Sequence, residues 1–430
     1  MLPLFWESIR ARNDTMRKFL KYTPIREALA IFLDTITIRA GTESIATVEG
    51  LHRVLARDIV ASIDLPGENM STRDGYAVRS KDTSASLNSS IFELLGEVQI
   101  GTPPMFRVER RECVFVSTGS VIPDGADAVI MIEYSNKSGK NVEFIKSVEK
   151  GENVTYRGSD IKRGAVVLQS GTFLYPQDLG ILSALGIGSI QVTKKPRVSI
   201  LSTGDELLNL GEKRNEGKIY DTNRVILSAL VKEEGGIPVD LGIASDDEDD
   251  IRRKLVEGLK TSDAVIASGG TSVGEKDLLP TVVGTLGKPG LLVHGIAMRP
   301  GSPIALASIE GKPILLTPGF SVSCIFGFYI FGRAMLRKIL ARRELNGVII
   351  RATITEDIES NEMTRFVLVK LIHQGSNVEA EPVRPSGSNI LSSFVRADGY
   401  LMLAPKSSIK KGQDVAIVKT RPFSADFNLR

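Results

Sequence analysis

The sequence predicts a multidomain fold of α/β plus β structure, in which a central doubly wound α/β domain is flanked by small β domains. The chain has 430 residues, more than one domain usually holds, so several domains are expected. Between residues 195 and 344, short apolar runs alternate with amphipathic segments, which is the pattern of a parallel sheet with crossover helices. On both sides of this region, short alternating runs separated by turn residues predict β domains.

The composition is that of an ordinary globular protein, with 42% hydrophobic and 24% charged residues. The formal net charge of +3 is small beside 54 basic and 51 acidic side chains, so no nucleic-acid partner is predicted. The two cysteines, Cys113 and Cys324, form no CxxC pair, which argues against a disulfide framework and a thiolate metal site. The most apolar segment, 322–331, is too short to span a bilayer, so we expect no membrane association and a cytoplasmic protein.

In the first part of the chain, residues 1–20 are interpreted as an extension. From residue 23 to about residue 61 the pattern predicts helical structure, with a first helix that starts at Pro24 and a second amphipathic, helical segment over 48–60. Between 65 and 154, short runs separated by turns predict a small antiparallel β domain. A further helix over 176–185 is expected to pack back on the first helices.

In the central domain, strands are predicted at 198–201, 239–243 and 264–267, with helices at 222–234 and 251–259 between them. The helix signals agree with this order. Asp221 and Asn223 are candidate caps of the first helix, and Gly235 is suited to end it. In sheets of this kind the ligand crevice lies at the carboxyl ends of the strands, where residues 202–206 and 268–277 fall.

The stretch 264–277 passes from a predicted strand into residues suited to bind a phosphate. Its glycines let backbone N–H groups turn toward an anion, and its hydroxyls add donors. These residues are Ser268, Gly269, Gly270, Thr271, Ser272 and Gly274. Because a carboxylate beside a phosphate requires a divalent cation, Asp277 extends the prediction to a phosphate and magnesium site. The alternative is a glycine-rich turn that binds nothing.

The segment 202–206 follows another predicted strand and contributes Ser202, Thr203 and Glu206 to the same edge. Together with Asp277, its acids suggest magnesium, whereas solvated loop acids are the alternative. The acidic run 246–250 precedes a helix, where carboxylates cap free N–H groups and suit the helix dipole. Capping is therefore favoured for this run, with a metal role for Asp246 as the second interpretation.

Arg299 and Ser302 flank a Pro-Gly step and resemble an oxyanion clamp, because a guanidinium offers forked donors beside a hydroxyl. A surface arginine explains the pattern equally well. Lys370 and Ser388 lie in the C-terminal region and require domain or subunit packing to reach a site. The histidines are too scattered for a metal site or a general base, and no nucleophile stands with its base, so covalent catalysis is disfavoured.

The last part of the chain predicts a hairpin turn at Glu310 and Gly311 and a long helix that ends at Ala341. Short β runs follow at 348–354, 366–372 and 415–419. They predict a C-terminal β domain of the size of a small barrel.

Seven motifs, taken in order, resemble the molybdopterin molybdenumtransferases of the MoeA type, a family that includes the E domain of gephyrin. The resemblance covers roughly residues 20–425 and is specific because the motifs keep their order. The motifs are Ser71-Thr-Arg-Asp-Gly-Tyr-Ala77, Ser117-Thr-Gly119, Pro123-Asp-Gly-Ala-Asp-Ala-Val129, Ser202-Thr-Gly-Asp-Glu-Leu207, Ile219-Tyr-Asp-Thr-Asn-Arg224, Ser268-Gly-Gly-Thr-Ser-Val-Gly274 and Arg299-Pro-Gly301.

The resemblance implies a homodimer of subunits with a discontinuous, helical linker domain. The domains it implies here are a linker at 21–64 and 155–194, a β domain at 65–154, a MogA-like molybdopterin-binding domain at 195–344 and a β-barrel at 345–430. It also implies the reaction, in which magnesium promotes loss of AMP from adenylylated molybdopterin and molybdate is inserted at the dithiolene. Molybdopterin adenylyltransferase and molybdoenzymes are the implied partner proteins.

The family also implies roles for individual residues. Three acids match family positions at the metal and nucleotide end, namely Glu206, Asp246 and Asp277. For Asp246 this match favours a metal role over helix capping. Asp74 and Thr118 match positions that face the cleft across the dimer, and Asp160 matches another acid of that cleft. Ser388 matches the oxyanion end, together with Arg299, Ser302 and Lys370.

The chain departs from the family where the oxyanion is expected. Arg299, Ser302 and Gly295 stand where many members have lysines, Lys370 replaces an arginine, and Phe320-Ser321 replaces Asn-Pro. A pocket with fewer cations attracts an oxyanion less strongly. The sequence therefore does not decide whether the oxyanion is molybdate or tungstate. Two other functions also stay open, namely molybdopterin adenylyltransferase, which the central domain resembles, and a dimeric scaffold of the gephyrin kind.

Overall fold

The computed structural model of the chain describes residues 22–83, 91–271, 278–343, 348–375 and 377–420. The chain folds into two compact units. Of the described residues, those within 22–43, 52–54 and 193–420 belong to the larger unit, and those within 44–51 and 55–192 belong to the smaller. The finer predicted boundaries stay predictions.

The first part of the chain is mostly β structure with two helices. In chain order its elements are α1 Ile25–Asp34, β1 Thr42–Ala46, β2 Ile59–Val60, β3 Met70–Ser71, β4 Gly75–Val78, β5 Ile91–Val98, β6 Glu112–Val116, β7 Ala128–Met131, β8 Ser135–Ser138, β9 Asn141–Phe144, β10 Val154–Thr155, β11 Val166–Leu168, α2 Pro176–Ala184 and β12 Ser189–Thr193.

The rest of the chain alternates strands with helices and then returns to strands. Its elements are β13 Arg197–Thr203, β14 Leu207–Leu208, β15 Ile219–Tyr220, α3 Asn223–Glu233, β16 Ile237–Ala244, α4 Glu248–Thr261, β17 Ala264–Ser268, α5 Leu278–Gly284, β18 Pro289–His294, β19 Met298–Arg299, β20 Ala305–Ile309, β21 Lys312–Thr317, α6 Ser321–Gly327, a π-helix Phe328–Gly332, α7 Arg333–Leu340, β22 Ile349–Ile354, β23 Ile358–Glu359, β24 Thr364–Gln374, β25 Asn377–Pro382, α8 Ser392–Arg396, β26 Gly399–Leu403, β27 Ser408–Ile409 and β28 Asp414–Lys419.

The central sheet of the larger unit has six strands in the order β16-β13-β17-β21-β20-β18. β16, β13, β17 and β21 are parallel, while β20 runs antiparallel to both of its neighbours. This confirms the predicted doubly wound α/β domain. The predicted hairpin at Glu310 and Gly311 is also confirmed, since both residues have positive φ between β20 and β21.

Both faces of this sheet are covered by helices, which explains why its strands are apolar throughout instead of alternating. Along β13, Val198 and Ile200 join one buried cluster, and Leu201 joins another. The first cluster contains Leu227 of α3, and the second contains Leu255 of α4. The crossover helices thus hold the sheet rigid and leave its carboxyl edge free for ligands.

A second six-stranded sheet forms the predicted C-terminal β domain, in the order β19-β24-β25-β22-β28-β26. β24 also pairs with β26, so the strands from β24 to β26 close on themselves as in a barrel, and β19 is added beside β24. β19 belongs to the segment between central strands β18 and β20, yet it pairs in parallel with the start of β24. This exchange ties Arg299 to the C-terminal sheet.

The smaller unit contains a six-stranded sheet in the order β7-β4-β6-β5-β9-β8. The predicted antiparallel domain is confirmed except for one pair, because β5 and β6 are parallel. The predicted helix over 48–60 is wrong. That segment pairs with later backbone instead, as Leu55 N donates to Thr172 O and Ala61 N donates to Ala165 O, each at 2.9 Å. Amphipathic spacing could not reveal these distant partners.

The predicted linker pieces, 21–64 and 155–194, contain mainly two-stranded ribbons, together with α1 and α2, which confirm the helices predicted to start at Pro24 and Pro176. Within the part of the chain that the structure covers, no helix combines the length and the apolar character that a membrane span requires.

Candidate functional site

Three hydroxyl-bearing strand ends lie side by side at the carboxyl edge of the central sheet. Ser202 of β13 is in register with Ser268 of β17, and Ser268 is in register with Thr317 of β21. All three side chains are buried. The sequence therefore placed Ser202 and Ser268 at one edge correctly, as parallel strands require.

The glycine loop, residues 268–271, lies against Thr203 more closely than any side chain would allow. A Cβ on Gly269 would lie 2.4 Å from the Thr203 carbonyl oxygen, and Gly269 has φ +103°. Gly270 also has positive φ, +43°, and its Cβ would lie 3.3 Å from Thr203 Oγ1. Glycine is therefore required at Gly269 and favoured at Gly270. Three further predicted residues, Ser272, Gly274 and Asp277, lie outside the described residues.

The Thr203 hydroxyl is buried and has no hydrogen-bond partner among the described residues. A buried unsatisfied hydroxyl is costly, so its place beside the glycine loop suits a polar ligand atom. Thr203 and the glycine loop together form a cradle with the donors that a phosphate requires.

Asn223 joins the glycine loop to the loop that follows β21, a role that sequence reasoning missed. Its Nδ2 donates to Ser268 Oγ at 2.6 Å and to the Gly319 carbonyl oxygen at 2.8 Å. The prediction that Asn223 caps α3 is wrong, because the side chain crosses to these loops instead. Its Oδ1 has no partner among the described residues, although the residue is only 6% exposed.

Asp221 fixes Ser202 from the same segment. It accepts a hydrogen bond from Ser202 Oγ at 3.0 Å and one from Arg224 N at 3.1 Å, which confirms it as a cap of α3. The guanidinium of Arg224 lies 3.1 Å from the other Asp221 oxygen and compensates this buried charge. The motif Ile219–Arg224 was the sequence signal that could have pointed to these roles of Asp221 and Asn223. The side chains with which they pair can be identified only in the folded chain.

The predicted acids lie on two neighbouring loops of this edge. Asp246 N donates to Asp205 Oδ1 at 3.2 Å, and Asp205 N donates to Asp246 Oδ2 at 3.4 Å. The cap of α4 is Asp247, which accepts from the N–H groups of Asp249 and Asp250. Asp246 is therefore not needed as the cap, and its exposed carboxylate stands beside the 204–206 loop.

Glu206 turns back over its own loop. A Cβ on Gly204 would lie 2.6 Å from Glu206 Oε2, so the carboxylate occupies the space that the glycine leaves. Glu206 and Asp246 offer oxygen donors, which is the ligand type that magnesium prefers. Within the described ranges, no three His, Cys, Asp or Glu residues are grouped closely enough to hold a metal. The predicted third ligand, Asp277, lies outside those ranges, so the set stays a prediction.

The predicted oxyanion residues are distributed around the C-terminal sheet. Arg299 is exposed in β19, and Lys370 is exposed farther along β24, the strand with which β19 pairs. The Ser388 carbonyl oxygen accepts a hydrogen bond from Val322 N at 3.3 Å, in the first turn of α6. Ser302 is half-buried, and its carbonyl oxygen accepts from Ile296 N at 2.8 Å. Ser388 therefore reaches the same helix start that the β21 loop enters.

In the smaller unit, the predicted pair Asp74 and Thr118 is in direct contact. Asp74 Oδ1 accepts hydrogen bonds from Thr118 N at 2.6 Å and from Thr118 Oγ1 at 3.1 Å. Both residues are exposed. Asp160 is also exposed, and its backbone N–H donates to the Leu65 carbonyl oxygen at 3.0 Å.

Cys324 lies beneath the glycine loop but is no candidate nucleophile. Burial raises the pKa of its thiol to about 12, despite a hydrogen bond that Thr317 Oγ1 donates to Sγ at 3.4 Å. A neutral, buried thiol is unreactive.

Comparison with known families matches most of the chain in three consecutive pieces. Residues 23–186 match the MoeA N-terminal region (domain I and II), residues 199–338 match a probable molybdopterin binding domain, and residues 351–420 match the MoeA C-terminal region (domain IV).

Individual relatives cover nearly the same span. A molybdopterin molybdenumtransferase of Bacillus subtilis is 33% identical over 84% of this chain and 86% of its own. One of Staphylococcus aureus is 30% identical over 94% and 97%. The crystal structure of a molybdopterin biosynthesis MoeA protein from Pyrococcus horikoshii superposes with a TM-score of 0.80 and 32% identity, covering 93% of this chain and all of that one.

Proposed function

The chain belongs to the MoeA family and takes part in molybdenum cofactor biosynthesis, and we propose that it is a molybdopterin molybdenumtransferase. In the proposed reaction, adenylylated molybdopterin loses AMP and receives molybdate or tungstate at its dithiolene. The observation that best supports this proposal is the cradle formed by Thr203 and the glycine loop, beside the acids of two neighbouring loops.

The substrate of this reaction contains two linked phosphates, and the cradle matches that chemistry. The Gly269 N–H already donates to the Thr317 carbonyl oxygen at 3.1 Å, so the other backbone N–H groups and the hydroxyls of the glycine loop are the proposed donors to phosphate oxygens. Thr203 adds a hydroxyl without a partner in the described chain. Asn223 and Asp221 hold Ser268 and Ser202 in place. Ser202 donates its hydroxyl proton to Asp221 and so serves to order this edge, whereas Ser268 accepts from Asn223 and is the hydroxyl positioned to act as a donor. A fixed donor stabilises developing charge without reorganising during the reaction.

The oxygen donors of Glu206 and Asp246 suit magnesium, and we propose that they hold it together with Asp277. When bound, Mg²⁺ supplies Lewis-acid stabilisation of the phosphate charge. Without a cation these carboxylates would repel the substrate's phosphates, so binding of the anhydride beside them would depend on the metal. Arg299, Ser302, Lys370 and Ser388 are proposed to bind the oxyanion.

The direct test is release of AMP from purified adenylylated molybdopterin by Glu206→Ala and Asp277→Ala variants. Each is expected to lower turnover by at least about 100-fold, because charge stabilisation in the transition state is lost. Glu257→Ala, an exposed acid of α4, is the matched control and should retain activity. Unchanged Mg²⁺-dependent turnover in both site variants would refute their assignment. ATP consumption with molybdopterin alone would indicate the adenylyltransferase reaction instead.

Parallel measurements of insertion with molybdate and with tungstate, under identical conditions, determine which metal the protein inserts into molybdopterin. The departures at Ser302 and Lys370 motivate this pairing, because they change how the oxyanion would be held. A rate that is higher with tungstate would assign this chain to tungsten cofactor synthesis. A dimeric scaffold without enzymatic activity would give no insertion with either oxyanion.

We also propose a cytoplasmic homodimer whose cleft takes Asp74 and Thr118 from the partner copy. This predicts complementation between two inactive variants. Asp74→Ala and Glu206→Ala proteins, unfolded together and refolded as a mixture, should regain a substantial part of wild-type AMP release. Each variant refolded alone should stay inactive. Absence of recovery, with dimers present by size-exclusion chromatography, would show that the two residues do not serve a shared cleft.

A further inference from the structure

Phe320 is an exposed aromatic residue at the ligand edge of the central sheet. It follows β21 directly, in the loop Pro318-Gly319-Phe320, and precedes the first residue of α6. The side chain is 58% exposed, and no ring–ring contact with another aromatic residue is found for it in the described chain. A single exposed apolar residue is common on protein surfaces. Phe320, however, lies at the ligand edge, where an exposed aromatic ring can contact a bound ligand.

The Phe320 loop is fixed against the cradle at two points. A Cβ on Gly319 would lie 3.8 Å from Gly269 Cα, so the two loops are in van der Waals range. The Gly319 carbonyl oxygen accepts from Asn223 Nδ2 at 2.8 Å, and the same amide group holds Ser268 at 2.6 Å. Phe320 is therefore one residue away from backbone that contacts the glycine loop.

The other side of Phe320 is fixed by the start of α6. The Phe320 carbonyl oxygen accepts from Cys324 N at 3.0 Å, while Ser321 Oγ lies 3.0 Å from Thr222 Oγ1. The next residue, Val322, donates its N–H to Ser388 O at 3.3 Å. Tertiary contacts thus hold the backbone at Phe320 between the cradle and the predicted oxyanion end, and the ring is left open to solvent.

We propose that Phe320 is a stacking platform for the heteroaromatic ring joined to the phosphate that the glycine loop binds. This inference rests on the proposed function, which supplies a substrate with an adenine ring at one end of its phosphates and a pterin ring at the other. Stacking on an aromatic side chain covers the apolar ring and tolerates different bases, because each presents a π face. Phe320 is then a specificity-determining residue of this chain, at a position where the family pattern described above has asparagine.

The test measures binding of AMP and of ribose 5-phosphate to the full-length protein by isothermal titration calorimetry. Ribose 5-phosphate keeps the phosphate and sugar but lacks the ring. Phe320→Ala is expected to weaken AMP binding about tenfold, within the range that loss of one base stack produces, and to leave ribose 5-phosphate binding unchanged. Phe320→Trp should bind AMP at least as tightly as the wild type. Met402→Ala, which removes an equally exposed apolar side chain from β26 (59% exposed), is the control and should alter neither ligand.

A second measurement distinguishes the two rings. If AMP binding is indifferent to Phe320→Ala but KM for adenylylated molybdopterin rises about tenfold, the pterin is the ring that stacks, and the platform is still supported. Unchanged AMP affinity together with unchanged KM would overturn the proposal. If the wild type itself shows no turnover, the proposed function fails and the AMP comparison alone decides the platform. Because Phe320 is exposed, the alanine variant should keep the wild-type melting temperature, so a loss of binding is not a loss of fold.

Discussion

The two ends of the candidate site differ in how their side chains are held. At the end that contains the cradle, Ser202, Ser268 and Thr203 are buried, and Asp221 and Asn223 fix two of them by hydrogen bonds. At the proposed oxyanion end, Arg299 and Lys370 are exposed on paired strands of the C-terminal sheet. The first end is therefore preorganised by packing, whereas the second is proposed to bind its ligand through charge. Substitutions at the first end should affect stability and binding together, and substitutions at the second should affect binding alone.

The largest effect is expected from Gly269→Ala. The new Cβ would meet the Thr203 carbonyl oxygen at 2.4 Å, at a backbone angle that disfavours alanine. We expect about 2–4 kcal/mol of destabilisation and a loss of turnover of at least about 100-fold, because displaced donors no longer fit the phosphates. Thermal unfolding and AMP release measure the two effects. At Gly284 an added Cβ would have no atom within 4 Å. Gly284→Ala is therefore the control and should leave both stability and AMP release unchanged.

Asn223→Ala should have the next largest effect. It removes the donor shared by Ser268 Oγ and the Gly319 carbonyl oxygen and leaves both acceptors without it. We expect a loss of about 1–3 kcal/mol in the free energy of unfolding and a rise in KM that exceeds the fall in kcat. Asn136→Ala removes the same type of side chain from an exposed position of β8 and should change stability and KM much less. If both variants change KM equally, the bridge between the two loops is not what orders the cradle.

Ser302→Lys tests the charge-dependent end. One added cation near a bound dianion should raise molybdate affinity about fivefold, the size of a Coulomb interaction of about 1 kcal/mol in water. The gain should shrink as salt is added, and the melting temperature should stay constant. Ser408→Lys adds the same charge at an exposed position of β27 and should not alter affinity. A salt-independent gain would contradict the view that this end works by charge.

The smallest signal comes from Cys324, which reports on the packing beneath the cradle. Because burial holds the pKa of its thiol at about 12, we expect no reaction with a thiol reagent between pH 7 and 8.5 in the native protein. Unfolding should return the pKa to its ordinary value and make the thiol reactive. In a Gly269→Ala variant, Cys324 should react measurably faster with the reagent. The comparison is made in a Cys113→Ser background, so that only Cys324 can react. Rapid labelling of the native protein would show that this end is more open than its hydrogen bonds indicate.

Predictions from the sequence were confirmed where a local residue pattern is compatible with only one local structure. The continuous apolar run 264–267 predicted a strand, and the glycines after it predicted a loop whose backbone N–H groups can turn toward an anion. Sequence reasoning failed for 48–60, whose amphipathic spacing suited a helix, although strand partners more than a hundred residues away took its backbone groups. Asn223 was assigned to capping for the same reason, since its preference for a helix start is local and its partners, Ser268 and Gly319, are distant in sequence.

The α/β alternation, the edge at which the ligand loops emerge and the family to which their motifs point all followed from the sequence alone. These properties depend on residue spacing and on backbone angles that only glycine adopts readily. The side chains that hold the loops together emerged only from the folded chain, because Asn223 and Asp221 act across strand ends. The fold also leaves Phe320 exposed beside the cradle, a position that its sequence neighbours did not reveal. Burial and hydrogen-bond partners depend on how distant segments pack, and no local pattern in the chain encodes that packing.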